Sequence, residues 1–256
     1  MQLREIEAAL KGAMIQTRYQ PIVRLSDGAP VAVEALARLK HPSRGTLLPH
    51  RFVPQLENAG LASELTSEVA SRAFADMAGP QLAPLRLDMA LNFPLDVLLV
   101  PHAPTLLELH HRLQGIPTEQ VVIELTESRP IEDLRSVGKA TTRLRQAGYQ
   151  VVIDDVQPTV PQLGALLDLP FTGLKFDKDV VLRMVQDAAA ESFVSDIVEA
   201  AGARGLMLTA EGVEDAPTWE RLVQLGVHRA QGFLIARPMM ANAIPGWLRR
   251  WSSRQN

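Results

Sequence analysis

Six residues with oxygen-donor side chains stand at the ends of apolar, strand-like runs in this sequence. They are Glu34 after PVAV, Asn92 after DMAL, Glu124 after VVI, the pair Asp154 and Asp155 after a second VVI, and Glu211 after LMLTA. Carboxylates gathered at one place raise one another's pKa and work against the fold unless cations offset them. An all-oxygen set with neither thiolates nor paired imidazoles suits Mg²⁺, Mn²⁺ or Ca²⁺ better than zinc. Two such ions about 3.5–4 Å apart are the usual device for in-line attack of water on a phosphodiester. The Asp154–Asp155 pair would bridge or flank them. Lys175 and Asp177 lie two apart in GLKFD, so a strand turns both to one face. A lysine aimed into such a cluster can orient an attacking water or offset charge in the transition state. A single acid at a strand end is as often a turn former or a helix cap, but the repetition over five strand ends argues for one shared site.

Such a site requires a fold in which the ends of distant strands converge. The apolar runs are TRYQPIVRL, PVAVEAL, LRLDMALNF, QVVIELTE, YQVVIDDV, TGLKFD, GLMLTAE and GVHRAQGFLIA. Between them lie amphipathic stretches with helical spacing at about 3–14, 62–78, 103–113, 130–147, 183–203 and 215–225. Strands alternating with helices give a mainly parallel sheet. About eight of them in 256 residues fit a (β/α)8 barrel, whose strand C-termini open on one face, better than an open sheet. No strand is followed by the Gly-x-Gly-x-x-Gly turn of a dinucleotide-binding fold. The absence of a Gly/Ser/Pro-rich linker, a biased tract or a sequence-level repeat makes 1–256 a single domain. The adjacent His110 and His111 read as solvated helix residues, His41 as structural, and Met207, Met239 and Met240 as gap fillers.

Composition narrows the chemistry. With 46% apolar residues the chain can bury a large core without covalent staples. The lack of cysteine removes disulfides, thiolate metal sites and cysteine nucleophiles. A net charge of −3 argues against duplex nucleic acid as a partner, while leaving room for a small anion held locally. Glu5 and Glu7 stand where a secretory signal would be apolar, and no run approaches the roughly 20 apolar residues of a membrane span. The expectation is a cytoplasmic protein without a membrane span.

The ordered motifs resemble those of the EAL-domain cyclic di-GMP phosphodiesterases. Glu34-Ala35-Leu36 stands within VEALARLKHPSRG, and around it lie YQPIV (19–23), LNFP (91–94), ELTES (124–128), IDD (153–155), LKFD (174–177), AEGVE (210–214) and AQGFLIARP (230–238). The resemblance runs from about residue 15 to 250. It implies an α/β fold, a modified TIM-like (β/α)8 barrel with one antiparallel strand, that hydrolyses cyclic di-GMP to the linear dinucleotide through two-metal-activated water. Carried over by position, Glu34, Asn92, Glu124 and Asp154 resemble ligands of the first metal, and Asp155 with Asp154 the second-metal position. Lys175 and Glu211 would position and activate the water. Gln20, Leu36, Arg38, Asp177, Gln231 and Pro238 would contact substrate, with Arg38 suited to a phosphate by its guanidinium fork. Mg²⁺ or Mn²⁺ would serve as the cofactor, and Ca²⁺ would inhibit. A homodimer and a regulatory protein or fused sensor domain are the further partners implied. One departure stands out. The family usually follows its aspartate pair with Phe-Gly-x-Gly-x-Ser-Ser in a loop tied to the glutamate matching Glu214. This chain has Val156, Gln157, Pro158, Thr159, Val160, Pro161 and Gln162. The alternative reading is therefore a receptor that binds cyclic di-GMP with little turnover and signals through a protein partner.

Overall fold

The computed structural model describes residue 10 and residues 14–100, 107–108, 111–126 and 133–255. Its strands are β1 (Ile15–Arg24), β2 (Pro30–His41), β3 (Gly45–Leu47), β4 (Asp88–Pro94), β5 (Val121–Thr126), β6 (Gln150–Val156), β7 (Gly173–Phe176), β8 (Met207–Ala210) and β9 (Arg229–Ala230). They are ordered β1-β9-β8-β7-β6-β5-β4-β2-β3, and a β1–β2 pairing closes the ring. The steps from β2 to β4 and on to β9 are parallel. β1 runs antiparallel to both β2 and β9. The result is an eight-stranded α/β barrel with one reversed strand, as the motifs imply. β3 is a hairpin extension of β2 beyond the ring.

The β-branched runs form the inner strands because both of their faces are covered. Ile123, Val151, Ile153, Leu174 and Leu208 are all fully buried. Helix starts follow side-chain caps. Asp133 accepts from Arg135 N and Ser136 N ahead of the helix Leu134–Gln146, and Asp215 accepts from Thr218 N ahead of Ala216–Leu225. The helix expected over 183–203 is Ala188–Gly202, and a separate short helix, Lys178–Arg183, precedes it. Asp187 sets the start of the longer helix, since its carboxylate takes the Ala189 amide as an N-cap. The last strand, expected across 226–236, is only Arg229–Ala230. Beyond it the chain folds over Val213, whose N–H donates to Gln231 O and whose carbonyl accepts from Leu234 N. A C-terminal helix, Ile244–Gln255, went unread in the sequence. Its Trp247 and Trp251 are stacked and buried, and Trp251 Nε1 donates to Gly28 O at 2.7 Å.

His111 corrects the sequence expectation of a solvated residue. It is 1% exposed, its ring spans Ile116 O at 2.9 Å and the Tyr149 hydroxyl at 2.8 Å, and the edge of Phe74 packs against it. His110, the helix expected at 3–14 apart from Leu10 and Met14, and much of 103–113 lie outside the described residues. Among the described residues no helix is long and apolar enough to cross a membrane.

Candidate active site

The strand register sets the site. Gln20 on β1 pairs with Glu34 on β2, Glu34 pairs with Ala90 on β4, and Asn92, two residues on, pairs with Glu124 on β5. Lys175 lies on β7 opposite Thr209 of β8, and Glu211 directly follows β8. All therefore gather at the end of the barrel where the parallel strands finish. Lys175 is at the centre and is 1% exposed. Its Nζ lies 2.5 Å from Glu211 Oε1, 3.0 Å from Glu124 Oε2, 3.3 Å from Asp154 Oδ1 and 3.8 Å from Glu34 Oε2.

Asp154 and Asp155 reach the same site through a backbone device. Consecutive strand residues normally point to opposite faces, but the β6–β7 register shifts between Ile153 and Val156, and Asp155 has φ 53°. A bulge with a left-handed residue re-aims side chains in this way, and Asp is among the few residues that tolerate it. Oxygens of Asp154, Asp155 and Glu211 thereby lie within 4.8 Å of one another.

Electrostatics separate the acids. For Glu34, burial favours the neutral form. Lys175, hydrogen bonds from Asn92 Nδ2 (2.7 Å) and Gln231 Nε2 (2.6 Å), and the nearby Arg38 outweigh it, holding the carboxyl below its ordinary value. Burial raises Glu124 well above the usual range, against the pull of Lys175, and the charges of Glu34, Asp154 and Glu211 push the same way. Asp154 is raised by burial, with Lys175 opposing. Burial and the Asp154 charge push Asp155 up to about 6. Burial, with Asp154 and Glu34 adding to it against Lys175, takes Glu211 to about 8. Burial alone would lower Lys175, but the surrounding carboxylates hold it well above its ordinary value.

These residues fit divalent metal ions. Four carboxylates surround one ammonium, with Asp155 alongside, and buried Glu124 Oε2 and Asp154 Oδ1 receive no well-directed hydrogen bond even though Lys175 is near. Hard, anionic oxygens without satisfied lone pairs are the donor set of Mg²⁺ or Mn²⁺. Among the described residues Asp154, Asp155 and Glu211 form a three-carboxylate group, and Glu34 and Glu124 approach the same lysine from β2 and β5.

The other expected residues divide into two groups. Gln20, Leu36, Arg38, Gln231 and Pro238 line a cavity of about 630 Å³ beside Glu34, Asp154, Glu211 and Glu214. Asp177 lies just past β7 rather than on it, and its carboxylate caps the helix Lys178–Arg183 by accepting from Asp179 N at 2.7 Å. Its charge still acts on Asp155. Glu214 lines the cavity without a hydrogen bond to the loop 156–162 among the described residues. Gly232 holds Gln231 in place because a Cβ there would meet Val213 O at 2.1 Å, so only glycine permits this approach. A second cavity, of about 320 Å³, shares Glu34 and Leu36 and has Val53, Leu65 and Val69 in its wall. Sequence reasoning passed over Arg18, Lys178, Phe233 and Arg237 in the larger cavity. Arg18 was findable, being two residues from Gln20 on one strand face.

Most of the chain is similar to known proteins. The family model of the EAL domain matches residues 3–238. A cyclic di-GMP phosphodiesterase of Pseudomonas aeruginosa is 31% identical over 236 residues, covering 91% of this chain and 40% of that protein. The cyclic di-GMP phosphodiesterase RocR of the same organism is 30% identical over 239 residues, covering 92% and 60%. The chain thus spans less than two thirds of the length of these relatives. Among solved structures, the PaMucR phosphodiesterase in complex with c-di-GMP superposes with a TM-score of 0.87 at 28% identity, covering 95% of this chain and all of that one.

Proposed function

The chain belongs to the EAL-domain family, and on that premise we propose that it hydrolyses cyclic di-GMP to the linear dinucleotide with the help of Mg²⁺ or Mn²⁺. The observation that carries the reading is the cluster of four carboxylates around buried Lys175, with Asp155 beside them, next to a cavity of nucleotide size. Glu34, Asn92, Glu124 and Asp154 would hold one ion, and Asp154 and Asp155, with Glu211 in reach, a second. When bound, the ions would lower the pKa of a coordinated water and neutralise the reacting phosphate. The chain's own residues do the rest. Asn92 and Gln231 clamp Glu34 in its ionised form by donating to its two oxygens. Lys175 Nζ orients the attacking water and offsets negative charge on the phosphoryl oxygens. Glu211, whose carboxylate lies beside Lys175 Nζ and the two aspartates, takes up the water's proton as general base. Gln20, Leu36, Arg38 and Pro238 hold the substrate along the cavity wall.

The test is to incubate purified protein with cyclic di-GMP and Mn²⁺ or Mg²⁺ and resolve the nucleotides by chromatography. Linear dinucleotide that forms with the ions and not with a chelator supports the reading. Bound but intact cyclic di-GMP would favour the receptor alternative, and neither product nor binding would refute both.

A further inference from the structure

The carboxylate floor and its ions account for one phosphodiester of a cyclic dinucleotide. The other phosphate carries its own negative charge and needs a cationic partner set apart from that floor. Arg38 is the residue whose phosphate contact the family resemblance already implies; we propose that Arg18, its diagonal neighbour on β1, joins it in holding the phosphate that is not cleaved, and that Arg18 sets the preference for substrates carrying two phosphates. The inference rests on the functional reading above and deepens it.

The strand register carries the geometry. Arg18 pairs with Leu36 and Gln16 with Arg38, so the two arginines share a sheet face as diagonal partners about 7–8 Å apart at their backbones, within reach of long side chains. Leu36, opposite Arg18, stands two residues beyond Glu34 on β2, about 7 Å along the strand. An anion held there lies next to the carboxylate floor, in the same cavity.

The guanidiniums are spoken for only weakly. Arg38 is 9% exposed and donates to Ala37 O at 2.8 Å. Arg18 donates to Thr17 O at 2.9 Å and reaches Gln16 Oε1 at 3.4 Å. Among the described residues neither forms an ion pair with a carboxylate. Burial first, and then the Arg18 charge, lower the pKa of Arg38 against the pull of Glu34, so the two cations repel each other across the strand pair. A phosphate between them would relieve that repulsion and accept from both forks.

The test compares wild type with Arg18→Gln and Arg18→Lys on two substrates, cyclic di-GMP and the single-phosphate diester bis(p-nitrophenyl) phosphate. Arg18→Gln should raise KM for cyclic di-GMP by about tenfold or more with a much smaller change in kcat, and lower the ratio of kcat/KM values for the two substrates by a similar factor. The salt dependence of KM for cyclic di-GMP should become shallower, as for a lost contact between unlike charges. Arg18→Lys should fall between, keeping the charge without the fork. If Arg18→Gln changes neither KM nor the salt slope, or weakens both substrates equally, the arginine subsite is wrong while the functional reading stands. A wild-type protein that neither binds nor cleaves cyclic di-GMP would overturn both.

Discussion

At the scale of single residues, the site is a balance between buried acids and one buried base. Removing a carboxylate leaves a catalytic cation under-coordinated, so Glu34→Ala or Asp154→Ala should lower kcat by more than roughly a hundredfold at saturating Mg²⁺. Steady-state rates near wild type in both variants would contradict the site. Lys175 has a second role, as the counter-ion shared by Glu34, Glu124, Asp154 and Glu211. Breaking a buried charge group by removing one partner typically costs about 3–5 kcal/mol. In metal-free buffer Lys175→Met should therefore unfold at a distinctly lower temperature than wild type, and added Mg²⁺ or Mn²⁺ should raise its midpoint more than it raises that of wild type. Scanning calorimetry with and without chelator reads this directly. Equal shifts in the two proteins would mean that the lysine and the ions do not share the carboxylates.

At the scale of elements, the stretch VVIDDVQPTVPQL answers to a bulge followed by a stiff turn. The bulge turns both aspartates to the site, Asp154 into the larger cavity and Asp155 into the second one. The turn is closed by Val160 N donating to Gln157 O at 3.0 Å, and Gln162, with φ 54°, starts the short helix Leu163–Leu167. Glu214 receives no hydrogen bond from this loop among the described residues, so nothing there ties the loop to the far wall. Replacing residues 156–162 with the glycine- and serine-containing family pattern should raise kcat several-fold with KM nearly unchanged, because Gln20 and Arg38 sit on other strands. The same swap should have no effect on turnover in a Glu211→Ala background, and a change in KM alone would refute this account of the loop. Legibility in the sequence followed the same division. The strands and most of the acidic ends could be read because β-branched runs ending in acids repeat along the chain. Helix Ala62–Ala78 could be read from its apolar period. The left-handed Asp155 could not, since alternation alone would put Asp154 and Asp155 on opposite faces. Nor could the burial of His111 or the shortened last strand, each decided by a tertiary partner: a tyrosine hydroxyl and the backbone of Val213.

At the scale of the whole molecule, the closed ring brings residues from 20 to 231 to one rim, and the chemistry depends on how closely that rim holds its ions. Mg²⁺ and Mn²⁺ favour short bonds and octahedral geometry, whereas Ca²⁺ takes longer bonds and more ligands. Ca²⁺ should therefore compete with Mg²⁺, permit binding of cyclic di-GMP and suppress its turnover; full activity in Ca²⁺ alone would contradict two-ion positioning. The central claim is that this rim directs water onto a phosphodiester. It is tested most directly by running the reaction in ¹⁸O-labelled water with Mn²⁺ and weighing the nucleotide product by mass spectrometry. The account predicts one labelled oxygen, on the terminal phosphate of the linear dinucleotide, and no such product from Glu34→Ala. Unlabelled product, as from internal attack by a ribose hydroxyl, or full recovery of the cyclic substrate would contradict it.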